Sequence, residues 1–145
     1  IIFMSFASTF MSGRKGEARI LHLSEMNSSD VDIIQVRHVD ANSFTTLRGL
    51  GEKDIDAFLN ALSSVDSANF VRLPSPNEEI LLRIKTKNET FDLDFSLNES
   101  RSDWVYFSLV QRTYRGNNGS WTQDNFGKFR VKGIRDFLRT AANAS

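Results

Sequence analysis

Ile55-Asp56-Ala57-Phe58-Leu59-Asn60-Ala61-Leu62 sets apolar side chains at 55, 58, 59 and 62, the i, i+3, i+4, i+7 spacing of one helical stripe. The pattern returns in Ile134-Arg135-Asp136-Phe137-Leu138-Arg139-Thr140-Ala141, each counterpart lying 79 positions later, from Ile55 to Ile134. Each stripe follows a run of short strand-like segments. The chain therefore reads as a unit of several strands and one helix, used twice.

Working outward from the two stripes, strands are expected at about 2–11, 17–24, 31–38 and 43–48, then a helix at about 52–64. Gly49 and Gly51 break the chain before that helix, and acids gather at its start. The second series is expected at about 68–73, 79–87, 90–97, 103–114 and 121–130, with a final helix at about 132–142. Gly13-Arg14-Lys15-Gly16 reads as a basic hairpin tip, and Gly116-Asn117-Asn118-Gly119 as a turn between two long strands. Pro74 and Pro76 mark a short crossing between halves, so a single compact unit is expected, with halves at about 1–66 and 68–145.

Alternation shows which side of each strand is wet. Ile80, Leu82 and Ile84 point inward, against Leu81, Arg83, Lys85 and Lys87. Phe91, Leu93, Phe95 and Leu97 oppose Asp92, Asp94 and Ser96, and Val105, Phe107 and Leu109 oppose Trp104, Tyr106 and Ser108. Antiparallel sheets with one solvated face carry this signature. The fold class is α+β: two runs of antiparallel strands, each followed by a helix.

Composition narrows the function. With 18 basic and 18 acidic residues, the 145-residue chain has zero net charge, so any basic surface must be local. No cysteine is present, which removes disulfides and thiolate chemistry. The uncharged stretch 1–12 is too short to span a bilayer, and Arg14 and Lys15 follow it rather than precede it, so no membrane partner is expected.

Catalysis finds little support. The histidines are His22 and His38, and His38 with Asp40 reads as a strand-end pair rather than part of a triad. Asp30 with Asp32, and Asp92 with Asp94, read as solvated acids rather than metal ligands. The expectation is no enzyme, no metal and no cofactor. Nucleic acid has more to recommend it. Arg83, Lys85 and Lys87 make a basic row; Trp104, Tyr106, Arg112 and Tyr114 make an aromatic and basic one; Arg14, Lys15 and Arg19 add a third cluster. Cations neutralise phosphates, and exposed rings stack bases at about 1–3 kcal/mol each.

Lys15-Gly16-Glu17-Ala18-Arg19-Ile20 resembles the Lys-Gly-Lys-Ala-Ala-Leu motif of the Whirly single-stranded DNA-binding proteins. Val105 to Gln111 is similar to that family's penultimate long strand, and Lys128-Phe129-Arg130-Val131 with the following helix to its close. Trp121 to Leu138 resembles the C-terminal pattern of the kinetoplastid mitochondrial guide-RNA-binding proteins, which share the fold. Glu17 and Arg19 depart from the motif, replacing a Lys and an Ala.

The resemblance implies two repeats of four strands and a helix, with the motif on the second strand. It implies a homo- or hetero-tetramer with a related subunit, single-stranded RNA or DNA held mainly by its backbone, RNA annealing, and a mitochondrial location whose targeting segment lies outside this chain. RNA is expected ahead of DNA. The expected contacts are Arg14, Lys15 and Arg19 to phosphate on the first sheet, Arg83, Lys85 and Arg112 to phosphate on the second, and Tyr106 and Tyr114 to bases. The alternative is a protein-interaction or structural subunit that uses exposed Trp104 and Tyr106.

Overall fold

The structure, a computed structural model, describes residues 15–38, 41–68, 78–97, 103–115 and 120–143. Four long strands and a helix close the chain: β4 (Glu78–Thr86), β5 (Thr90–Leu97), β6 (Trp104–Arg115), β7 (Ser120–Lys132) and α3 (Arg135–Asn143). Before them come α1 (15–24), β1 (Val31–His38), β2 (Thr45–Thr46), α2 (Glu52–Ala61) and β3 (Asp66–Ser67). The seven strands among the described residues form one antiparallel sheet, in the order β2-β1-β4-β5-β6-β7-β3.

The α+β class therefore holds: the described residues form a compact unit of one seven-stranded antiparallel sheet and three helices. Two four-stranded repeats are not confirmed. The second half does run as four strands and a helix, but the described part of the first half adds β1 and β2 to the same sheet. The expected strand at 2–11 lies outside the described residues, as do the turn at 116–119, the two prolines and most of the expected strand at 68–73.

The expected strand at 17–24 is a helix. Gly16, Ile20 and Leu23 are its buried positions, an i, i+4, i+7 spacing that Leu21 obscures by sitting exposed between them. Gly16 is not a hairpin glycine. A Cβ there would collide with the Phe126 carbonyl oxygen and come within 2.7 Å of the Phe129 ring, so glycine allows α1 to lie directly on β7.

One row of rings crosses the core. Phe95, Phe107 and Phe129 are cross-strand partners on β5, β6 and β7, with centroids 5.0 and 5.7 Å apart. Phe58 of α2 meets Phe95 edge-on at 6.5 Å and stacks on Phe137 of α3 at 4.4 Å. Ile20, Leu23, Leu59, Leu62, Ile134 and Leu138 complete the same cluster. The helices therefore cover the face of the sheet that carries Ile80, Leu82, Phe91 and Val105, and leave the opposite face uncovered by them.

Local chemistry fixes the helix approaches. Glu52 and Asp54 sit in the first turn of α2, where the helix dipole favours acids. Asn27 and Asp30 form a capping box on the short 3-10 turn Ser28–Asp30, and the Ser28 N–H donates to Asp56 Oδ1 at 2.6 Å, tying that turn to α2. No helix among the described residues is long and apolar enough to cross a membrane.

Candidate nucleic-acid interface

The sheet face away from the helices is built from the alternate residues of five strands. Strand β1 supplies Ile33, Gln35 and Arg37; β4 supplies Glu79, Leu81, Arg83 and Lys85; β5 supplies Asp92, Asp94 and Ser96. Strand β6 supplies Trp104, Tyr106 and Ser108, and β7 supplies Lys128, Arg130 and Lys132. Register makes three cross-strand pairs at the β6–β7 seam: Trp104 with Lys132, Tyr106 with Arg130, and Ser108 with Lys128.

Trp104 is the centre of that seam. The Arg130 guanidinium carbon lies 4.2 Å from the ring centroid and the Lys132 ammonium 4.4 Å. Trp104 and Tyr106 are half-buried, while Lys128 and Lys132 are exposed. Arg130 also reaches Asp66 of the edge strand β3 at 3.6 Å, a loose and largely solvated pair. The Trp104 carbonyl accepts from the Arg135 guanidinium at 3.1 Å, which anchors the start of β6 to α3.

A second cluster lies across the face. Arg83 donates from Nε to Asp92 Oδ1 at 2.8 Å and from a terminal nitrogen to Oδ2 at 3.1 Å, a bidentate pair. Asp92 is 2% exposed, the single buried charged residue among those described. The Arg83 guanidinium also lies 4.1 Å from the Phe44 ring, and that of Arg37 lies 5.6 Å from the same ring.

The expected contact residues fall into separate groups. Arg83, Lys85 and Tyr106 share the open face. Lys15 and Arg19 belong to α1, on the other side of the sheet, where Arg19 packs over the rings of Phe91 and Phe126 at 5.1 and 5.8 Å. Arg14 lies outside the described residues. Arg112 and Tyr114 are placed by backbone register opposite Gln123 and Trp121 on β7. Lys128, Arg130 and Lys132 are cations of the open face that are not among the contacts expected from sequence, although their alternation with Phe129 and Val131 marks them.

The two histidines sit at opposite ends of β4 and do not converge. His22 Nε2 lies 3.1 Å from Glu89, just past the far end of β4, within an open cavity of about 820 Å3 that Asp30 and Asp32 also line. His38 lies near its start, with Nδ1 3.2 Å from Glu78 and Nε2 3.0 Å from the Ala142 carbonyl oxygen. Among the described residues no group of three or more His, Asp or Glu is placed to hold a metal ion. No protein-family model, curated protein or solved structure matches the chain.

Proposed function

We propose that the protein is a non-enzymatic single-stranded nucleic-acid-binding module that holds its ligand on the open sheet face, along β6 and β7. The observation that carries this reading is the Trp104 ring in contact with two cations, with Tyr106 two residues on along the strand. Rings on such a platform stack bases, and the neighbouring cations take phosphates. Lys132 is exposed, so its ammonium can leave the ring for a phosphate while a base takes its place.

Zero net charge is compatible with this because the open face carries Arg37, Arg83, Lys85, Lys128, Arg130 and Lys132 against Glu79, Asp92 and Asp94. Helix α2, on the far side, carries Glu52, Asp54 and Asp56 against Lys53. The alternate positions of β7 on the open face are Lys128, Arg130 and Lys132. Preference for RNA, annealing, assembly as a tetramer with a related subunit and a mitochondrial setting belong to the same proposal. They rest on the resemblance of the quoted stretches. The Lys15-to-Ile20 stretch supports it less, because it is helical and lies away from this face.

The test uses Trp104 as reporter. Trp121→Phe leaves Trp104 as the sole tryptophan of a chain that has two. Titration with single-stranded oligouridylate or oligothymidylate should quench its emission to saturation. Emission that stays constant with the protein folded would contradict stacking at this ring.

A second reading, a protein-interaction surface, is favoured by Ile33, which is 39% exposed on the same face. A partner held there would be retained at high salt, whereas a phosphate-bound strand would be released.

A further inference from the structure

We infer that Arg37, with Phe44 and Arg83, forms a second phosphate station on the far side of the open face, so that the ligand is a strand crossing the β-strands rather than a mononucleotide. The inference rests on the nucleic-acid reading above and adds the ligand's minimum length and path.

Phe44 immediately precedes β2, and its ring is shared by two guanidiniums, Arg37 at 5.6 Å and Arg83 at 4.1 Å. Asp92 holds and neutralises Arg83 through two hydrogen bonds. Among the described residues no carboxylate is paired with Arg37, and its Nε is buried without a hydrogen bond, as are those of Arg19, Arg130 and Arg135. The Arg37 side chain is only half-buried, so its charge, not offset by a described acid, is open to an oxyanion. The planar fork of arginine suits a phosphate, and the ring fixes the plane of the fork. Lys85, two residues from Arg83 on β4, adds a cation on the same face.

Spacing sets the length. From β1 to β7 the sheet order places β4, β5 and β6 between, four interstrand steps of about 4.8 Å, or roughly 19 Å. Asp94 and Ser96 of β5, with Ser108 of β6, occupy the middle, so positive charge is concentrated at the two ends of the path. A strand that reaches both ends needs on the order of four nucleotides or more, the lower end of known sites on single-strand-binding sheets.

The test is competition by oligouridylates of two to ten nucleotides against a labelled ten-mer, with wild type, Arg37→Gln and Arg130→Gln. Wild-type affinity should rise steeply up to about four or five nucleotides and then level off. Arg37→Gln should weaken the eight-mer about tenfold and leave the dimer's affinity unchanged, whereas Arg130→Gln should weaken both. Phe44→Leu, which keeps apolar bulk, should reproduce the length-selective loss and serves if Arg37→Gln does not fold. Full eight-mer affinity in the Arg37 and Phe44 variants, alongside a loss in Arg130→Gln, overturns the second station and leaves the first standing. Absence of binding by folded wild type at every length overturns both.

Discussion

Phe58 and Phe137 occupy equivalent positions in two helical stripes 79 residues apart, and they stack on each other at 4.4 Å with planes 16° apart. The likeness of the two stripes is therefore also a contact. Each helix presents the same apolar edge, and the edges close over the sheet together, with Phe95 beneath.

That stack should be measurable. Phe58→Ala should cost about 3–5 kcal/mol, as for other buried rings. A double-mutant cycle with Phe137→Ala should return a coupling of about 0.5–1.5 kcal/mol beyond the lost area. Additive losses in urea unfolding would mean that the rings merely adjoin.

Gly16 tests the helical reading of residues 15–24. Gly16→Ala should lower stability by about 1–3 kcal/mol, because the new methyl group meets the Phe126 backbone rather than a yielding side chain. In an open hairpin tip the same change would be nearly silent, so an unchanged melting temperature would contradict the packing of α1 on β7.

Asp92 is the costliest single charge to disturb. Asp92→Ala leaves Arg83 unpaired at a site where the pair is largely out of water, and should cost about 3–5 kcal/mol. Removing both partners with apolar residues should recover part of that loss. Equal stability of Asp92→Ala and wild type would show the pair to be incidental.

Lys15 lies on the helical side, so Lys15→Glu should leave oligonucleotide affinity within about twofold of wild type, a far smaller change than the loss of a true phosphate contact. Trp104→Ala should cost about 1–3 kcal/mol of binding at all salt concentrations. Lys132→Gln should instead flatten the salt dependence by roughly one phosphate contact. Anisotropy titrations at several salt concentrations separate the three. A large loss in Lys15→Glu would place binding on the other face.

Much of the fold was legible in local pattern. The expected spans of 31–38 and 90–97 match β1 and β5, and β4, β6 and β7 shift by one or two residues at their ends. Their alternation is clean because one face is buried under helices. Residues 17–24 misled because Ile20, Leu21 and Leu23 satisfy neither period clearly, and the decisive contact, Gly16 against Phe126, joins residues 110 apart. The candidate site was half legible. Tyr106 and the β7 cations could be read from alternation, but their pairing depends on β6 lying beside β7 in register. Arg37 with Phe44 depends on β2 pairing beside β1, with Gln35 opposite Thr46 and Val36 opposite Thr45, a register that the sequence leaves open.

The most direct test of the central claim is fluorescence anisotropy of labelled single-stranded RNA and DNA ten-mers at about 50 and 200 mM salt, the range where phosphate contacts are released. Four contacts, at the slope for single strands, predict an affinity loss of roughly 50-fold over that interval. Absence of binding at the lower salt by the folded protein, or binding that does not change between the two, would contradict a nucleic-acid role for this sheet face.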